Sequence, residues 1–100
     1  MHVITRSALT EFWQIHPNAE AALRTWYKLT AQVRWRNFVD VRQTFPSADL
    51  VGKFTVFNVG GNNYRLIALV DFNYQKVFIR HVLTHAEYDK EAWKNDPWYR

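Results

Sequence analysis

Residues 80–88 contain three side-chain types that together can bind an anion and move protons. Arg80 supplies a planar guanidinium fork suited to a phosphate, and His85 supplies an imidazole that exchanges protons near neutral pH. Tyr88 follows His85 at a spacing that makes the two side chains neighbours on a helix. The unpaired N–H groups of a helix that begins at His85 also favour a phosphate. This stretch therefore predicts an anion-binding site with a group that can transfer protons.

Arg65 is expected to join Arg80 from the neighbouring strand. With a two-residue turn at Asn73 and Tyr74, Arg65 lies opposite Val82 and diagonal to Arg80. Diagonal neighbours are roughly 7–8 Å apart, which lets two guanidinium groups converge on one anion. Because two arginines on a sheet surface repel each other without a ligand, this register predicts an anion shared by both.

Alternation along the two long strands divides their side chains between the two faces of the sheet. The face expected beneath the helices has Tyr64, Leu66, Ala68, Val70, Val77, Ile79, His81 and Leu83. The opposite face has Arg65, Ile67, Leu69, Phe78, Arg80, Val82 and Thr84. The candidate anion site is thus predicted on the face away from the helices.

Each candidate also has a purely structural interpretation. Arg80 can pair with a surface carboxylate, His85 can be an exposed first-turn residue, and Tyr88 can be packing with an exposed hydroxyl. Lys53, at the start of a predicted strand, adds a basic charge that can help to bind the anion. His81 is interpreted as structural because the alternation points it toward the helices.

Hydrophobic periodicity defines the elements that must position these residues. A helical period of apolar residues predicts a helix from Ser7 to Pro17, a second to about Ala31, and a third over Phe38–Thr44, for which Asn37 provides the cap. A period of two predicts strands over residues 2–5, Lys53–Val59, Tyr64–Asp71 and Lys76–Leu83. Thr84 and Glu87 form a capping box before a last helix over His85–Lys94. The order β-α-α-(α)-β-β-β-α predicts an α+β domain, with helices packed on one face of a small antiparallel sheet.

Length and composition limit the class of protein. A chain of 100 residues forms one domain, residues 1–100, and has no room for a second. No apolar run approaches the ~20 residues that cross a bilayer, no signal peptide is apparent, and cysteine is absent, so a cytoplasmic protein without a membrane partner is expected. The net charge of +4, with eight arginines, favours nucleic-acid contact, although such a charge also serves ordinary solubility.

Several other chemistries lack the residues they need. The histidines and acids show no metal-ligand spacing, so no metal and no cofactor is expected. Gly60 and Gly61 lie in a predicted hairpin rather than before a helix, which excludes a Gly-rich phosphate loop. A nucleophile elbow is absent as well. Any chemistry is therefore predicted to be metal-free.

Several motifs along the chain resemble those of the HigB family of toxins, within the RelE/ParE superfamily. They are Met1–Ile4, Phe45–Asp49, Val56–Asn62 with Arg65, Ile79–Arg80 and Thr84–Asp89. The resemblance extends over essentially the whole chain, and it implies a RelE-like fold in agreement with the periodicity.

The resemblance implies a toxin of a type II toxin–antitoxin module that cleaves mRNA in the decoding site of the ribosome. It implies a cognate HigA-like antitoxin with a helix-turn-helix, through which alone operator DNA is contacted. The implied reaction is attack of a ribose 2′-hydroxyl on the adjacent phosphorus without a metal. Arg65, Arg80, His85 and Tyr88 match the implied catalytic positions, whereas Lys53 remains a candidate for RNA binding only.

Two other functions remain open at this point. A ParE-like toxin that binds and poisons DNA gyrase needs no proton-transfer pair. A plain RNA-binding module needs only a basic face and aromatic rings for stacking. The aromatic residues near the C-terminus are expected either to bind a partner such as the antitoxin or ribosomal RNA, or to pack back on the sheet.

Overall fold

The computed structural model describes residues 1–99 and contains one five-stranded sheet in the order β1-β5-β4-β3-β2. The strands are β1 (His2–Ile4), β2 (Asp49–Val51), β3 (Phe54–Val59), β4 (Tyr64–Asp71) and β5 (Lys76–Thr84). β1 pairs with β5 in parallel, and the other neighbours are antiparallel. The α+β class and the antiparallel β3–β4–β5 meander are therefore confirmed, whereas the short edge strand β2 was not predicted.

Four α-helices accompany the sheet within the described residues. They are α1 (Ser7–Ile15), α2 (Glu20–Gln32), α3 (Phe38–Thr44) and α4 (His85–Asp89), and 3₁₀ turns cover Pro17–Ala19, Ala92–Asn95 and Pro97–Tyr99. The predicted last helix to Lys94 is too long, because Glu91 adopts the left-handed conformation with φ of 61°. The indole N–H of Trp93 donates to the carbonyl of Tyr88 at 3.0 Å, which occupies an acceptor at the end of α4.

The predicted caps of α3 and α4 are both present. The side-chain oxygen of Asn37 accepts a hydrogen bond from the backbone N–H of Asp40 at 3.1 Å. At α4, Thr84 accepts from the N–H of Glu87 at 3.2 Å, and the Glu87 carboxylate accepts from the N–H of Thr84 at 2.9 Å. This reciprocal pair begins α4 at His85 and so determines where that imidazole lies.

The first hydrophobic core lies between one face of the sheet and helices α1 to α3. Phe12 of α1 and Trp26 of α2 are buried there against Phe57 of β3 and Leu66 of β4, as the predicted helical faces require. The Trp26 and Phe57 rings meet edge to face with centroids 5.5 Å apart, a geometry that adds about 1 kcal/mol to simple burial.

A β-bulge in β5 reverses the alternation that the sequence predicts for the end of this strand. Ile67 pairs with His81, but the next residue of β4, Ala68, pairs with Ile79, so Arg80 is the extra residue. As a result Val82 packs against the first core, whereas His81 lies on the opposite face with Asp96 as its partner. The predicted position of His81 beneath the helices is therefore wrong. The same shift places Leu83 on the opposite face of the sheet as well.

The second face of the sheet is covered by α4 and by residues 92–99, named here the C-terminal segment. Trp93 is buried against Phe54, Val56 and Ile67, and Tyr88, Leu83 and Tyr99 pack at the border of this second core. Of the two expectations for the aromatic C-terminus, packing back on the sheet is the one observed for Trp93 and Tyr99. Because the C-terminal segment lies over this face, the face that was predicted to hold the anion site is partly covered.

Candidate active site

Arg65 is a buried arginine on β4, only 9% exposed. Its Nη1 donates to the backbone carbonyls of Asn62 at 3.2 Å and Tyr64 at 3.0 Å. Its guanidinium carbon lies 5.6 Å from the centre of the Tyr88 ring, within the range of a cation–π contact. Arg65 and Tyr88 are therefore brought together, with the charge of Arg65 held near the start of β4.

The predicted register between Arg65 and β5 is wrong by one residue. Arg65 pairs with Leu83 rather than with Val82, because the bulge at Arg80 adds one residue to β5. Arg65 bonds to backbone carbonyls whereas Arg80 bonds to a carboxylate, so the two guanidinium groups have separate partners. The predicted anion shared by the two arginines is therefore not needed to offset a repulsion between them.

Arg80 forms a two-pronged ion pair with Asp96 of the C-terminal segment. Its Nε and Nη2 donate to the two carboxylate oxygens, each at 2.9 Å. The guanidinium also lies 3.9 Å from the ring centre of Trp98, which in turn meets Phe78 edge to face. The structural interpretation of Arg80, pairing with a carboxylate, is thus observed. Since a guanidinium has five N–H donors and Asp96 takes two, three remain for another ligand.

Asp96 connects the C-terminal segment to β5, and it was not among the residues predicted for the site. Its side chain is 3% exposed and accepts hydrogen bonds from Arg80, from the backbone N–H of Trp98 at 2.9 Å and from His81. The bond from Arg80, followed by those from Trp98 and His81, lowers the pKa of Asp96 to about 2, against the opposing effect of burial. Asp96 is therefore ionised at neutral pH.

His81 lies beside Arg80 on the same carboxylate. Its Nε2 is 2.8 Å from Oδ2 of Asp96, and its side chain is 28% exposed. The alternation of the strand pointed His81 elsewhere, and no local spacing connects residues that lie 15 positions apart in the chain. An acid within an aromatic C-terminal stretch is the only signal in the sequence that could have indicated the Arg80–Asp96–His81 network.

His85 and Tyr88 lie on α4 but make different contacts. Nδ1 of His85 is 2.9 Å from a carboxylate oxygen of Asp89, and the His85 side chain is 48% exposed. The Tyr88 ring stacks on Trp93, with ring centres 5.3 Å apart and planes within 8°. Burial raises the pKa of Tyr88, so its hydroxyl is protonated at neutral pH and can donate a hydrogen bond.

Lys53 lies in the tight turn between β2 and β3 rather than at the start of a strand. The turn requires a left-handed residue, which Gly52 provides with φ of 59°. A Cβ on Gly52 would lie 2.8 Å from the Tyr99 ring, so the C-terminal segment closes over this turn. Lys53 is exposed there, and its contact with RNA stays a prediction.

Among residues 1–99, no group of three or more histidine and acidic side chains could hold a metal ion. No helix in the same part of the chain is long and apolar enough to cross a bilayer.

Comparison with known proteins identifies the family to which this structure belongs. A family model described as HigB toxin, the RelE-like toxic component of a toxin–antitoxin system, matches residues 19–91. The chain belongs to the HigB toxin family. As a HigB toxin it has an antitoxin as its partner, and the α+β arrangement above is consistent with the RelE-like fold.

Curated relatives of this HigB toxin cover nearly the whole chain. The mRNA interferase HigB of Escherichia coli O6:H1 is 34% identical over an alignment of 93 residues, which covers 90% of this chain and 90% of the relative. The mRNA interferase toxin HigB of Escherichia coli K12 is 38% identical over an alignment of 92 residues, which covers 89% of this chain and 88% of the relative. A HigB from Shigella flexneri, also named an mRNA interferase, matches to the same extent.

Proposed function

We propose that this HigB toxin is an endoribonuclease that cleaves mRNA on the ribosome and thereby stops translation in the cytoplasm. The observation that carries the proposal is the match over about nine-tenths of the chain to HigB toxins named mRNA interferases. The cognate antitoxin is HigA-like, carries a helix-turn-helix and blocks the toxin. Operator DNA is contacted only through that antitoxin.

The proposed reaction is an internal transesterification of RNA. The ribose 2′-oxygen forms a bond to the adjacent phosphorus, and the bond from phosphorus to the 5′-oxygen breaks. One proton leaves the 2′-hydroxyl and one is added to the 5′-oxygen, which gives a 2′,3′-cyclic phosphate and a 5′-hydroxyl. Acid–base side chains and cationic donors suffice for these steps, so the proposal includes no metal and no cofactor.

The residues of the candidate site have separate parts in this reaction. Arg80 gives its three remaining N–H donors to the phosphate, and Arg65, which lies against the Tyr88 ring, adds positive charge to attract the RNA. His85 exchanges a proton, for which its exposed position on α4 is suitable. Tyr88 donates a hydrogen bond to the ribose or stacks on a base, and Lys53 attracts the RNA backbone.

Cleavage by a His85→Ala variant tests the proposal. We expect wild-type toxin to cut ribosome-bound mRNA in a purified translation system and His85→Ala to cut it about 100-fold more slowly or worse, because an acid–base group typically contributes 10²–10⁴-fold. The fold should survive, since the His85 pair with Asp89 is exposed and such pairs contribute under about 1 kcal/mol. His2→Ala, at an exposed histidine on β1, is the matched control.

The same preparation distinguishes the alternative functions. A ParE-like toxin would inhibit supercoiling by purified gyrase and leave mRNA intact, and a plain RNA-binding module would retard RNA without cutting it. The proposal is contradicted if wild-type toxin leaves ribosome-bound mRNA intact. Full activity of His85→Ala would contradict only the role of His85 and would leave the proposed endoribonuclease activity intact.

A further inference from the structure

The carboxylate of Asp96 has a hydrogen-bonding arrangement that determines the state of His81. Both oxygens of Asp96 accept bonds, from Arg80, from the Trp98 N–H and from Nε2 of His81. Asp96 is ionised at neutral pH, and an ionised carboxylate only accepts. Nε2 of His81 must therefore be the protonated nitrogen, so in the neutral imidazole the free lone pair is on Nδ1.

We propose that His81 is a second proton-transfer residue, which takes the 2′-hydroxyl proton at Nδ1 while Asp96 holds its ring. The inference rests on the proposed RNA cleavage and deepens it. A buried carboxylate that fixes the tautomer and orientation of a histidine is a general way to make a neutral imidazole a competent base.

Two grooves give a substrate access to His81. One, of about 320 Å³, lies between α1 and β5, and its lining includes Glu11, Phe12, Arg80 and His81. The other, of about 340 Å³, lies between β5, α4 and the C-terminal segment, and its lining includes Glu87, Lys90 and Trp93. Arg80 and His81 therefore line the same groove, where a phosphate and its neighbouring ribose can meet both.

The geometry of phosphoryl transfer explains why a second proton-transfer group is useful. The attacking and leaving oxygens lie on opposite sides of phosphorus in an in-line displacement. One imidazole cannot contact both oxygens at once, so a second group placed on the other side of phosphorus can assist the proton exchange there. His81, with Nδ1 free in the neutral form, accepts the proton of the 2′-hydroxyl, and His85 in its protonated form gives a proton to the 5′-oxygen.

His81→Gln is the variant that separates proton transfer from structure. The glutamine amide can still donate to Asp96, but it has no titrating nitrogen. We expect single-turnover cleavage of ribosome-bound mRNA to fall about 100-fold or more, with loss of the acidic limb of the pH–rate profile and a thermal midpoint close to that of wild type. His2→Gln should leave the rate and profile unchanged.

Wild-type toxin provides a second measurement that depends on no variant. Nitrogen-15 NMR of the free toxin, recorded at a pH at which the His81 ring is neutral, should show the proton on Nε2, and the Nδ1–H tautomer would overturn the inference. Unchanged cleavage by His81→Gln would also overturn it and leave the proposed function intact. If wild-type toxin cuts no mRNA, the proposed function fails, and this inference fails with it.

Discussion

Replacing Asp96 with alanine should lower the free energy of unfolding by about 3 kcal/mol, the largest stability effect expected for a single polar side chain of this toxin. The substitution leaves the guanidinium of Arg80, 28% exposed, without its carboxylate and also removes the acceptor of the Trp98 N–H. Breaking a buried pair from one side typically costs 3–5 kcal/mol, and the partial exposure of Arg80 places the effect at the lower end. In a domain of this size the thermal midpoint should fall by roughly 10–20 °C.

Acid should remove most of the difference in unfolding free energy between wild type and Asp96→Ala. The folded pKa of Asp96 is about 2, below the ordinary 3.8, so its stabilisation is complete above the ordinary value and disappears as pH falls through about 2. The shift corresponds to about 2 kcal/mol. Urea unfolding of both proteins across this pH range measures the difference directly, because titrating groups that do not contact Asp96 contribute equally to both.

Asp49→Ala is the matched control for Asp96→Ala. The Asp49 side chain is 68% exposed and 3.7 Å from Arg42, so its loss should change the unfolding free energy by less than about 1 kcal/mol. Equal effects of the two substitutions at neutral pH would show that Asp96 does not hold the C-terminal segment on the sheet.

Arg80→Lys should cause the largest loss of activity that any conservative substitution in the site produces. Lysine keeps the positive charge opposite Asp96 but cannot hold the carboxylate with two donors and a phosphate with the remaining ones. Removing one preorganised donor to a transition-state oxyanion typically costs 10²–10³-fold in rate. We therefore expect mRNA cleavage to fall about 100-fold or more and growth arrest on expression to disappear.

Arg36→Lys controls for the loss of a guanidinium elsewhere. Arg36 also makes a two-pronged contact with a carboxylate, that of Asp40, but its side chain is 80% exposed, and it lies just before α3 and outside the Arg80–Asp96–His81 network. Arg36→Lys should cleave mRNA at the wild-type rate. If Arg80→Lys is fully toxic, Arg80 has no part in cleavage, and its only role is the structural one of pairing with Asp96.

Local sequence signals predicted most of the fold. The cap at Asn37, the capping box of Thr84 and Glu87, and the meander of β3, β4 and β5 all follow from interactions within a few residues. Such signals are physically self-contained, because a cap or a tight turn needs no distant partner. The family resemblance agreed with them over the whole chain.

The bulge at Arg80 could not be predicted from alternation. β5 has apolar residues at both odd and even positions, such as Ile79 and Val82. Its apolar pattern is therefore compatible with the register with or without an extra residue. The error placed His81 under the helices and Arg65 opposite Val82. Both mistakes have this one cause.

The connection of Asp96 to β5 is also outside the reach of local reasoning. Asp96 binds residues 15 and 16 positions earlier, and the bond forms only because Trp93 anchors the C-terminal segment on the second core. A sequence shows an acid among aromatic residues but not where the chain returns to the sheet. Arg80, His85 and Tyr88, by contrast, were selected from their own types and spacing.

Cleavage of an mRNA that carries a single 2′-deoxyribose on the 5′ side of the scissile phosphate tests the central claim most directly. On programmed ribosomes, wild-type HigB toxin should cut the all-ribose message to a 2′,3′-cyclic phosphate and leave the deoxy-substituted message intact, because that message lacks the attacking hydroxyl. Equal cutting of the two messages would contradict the account.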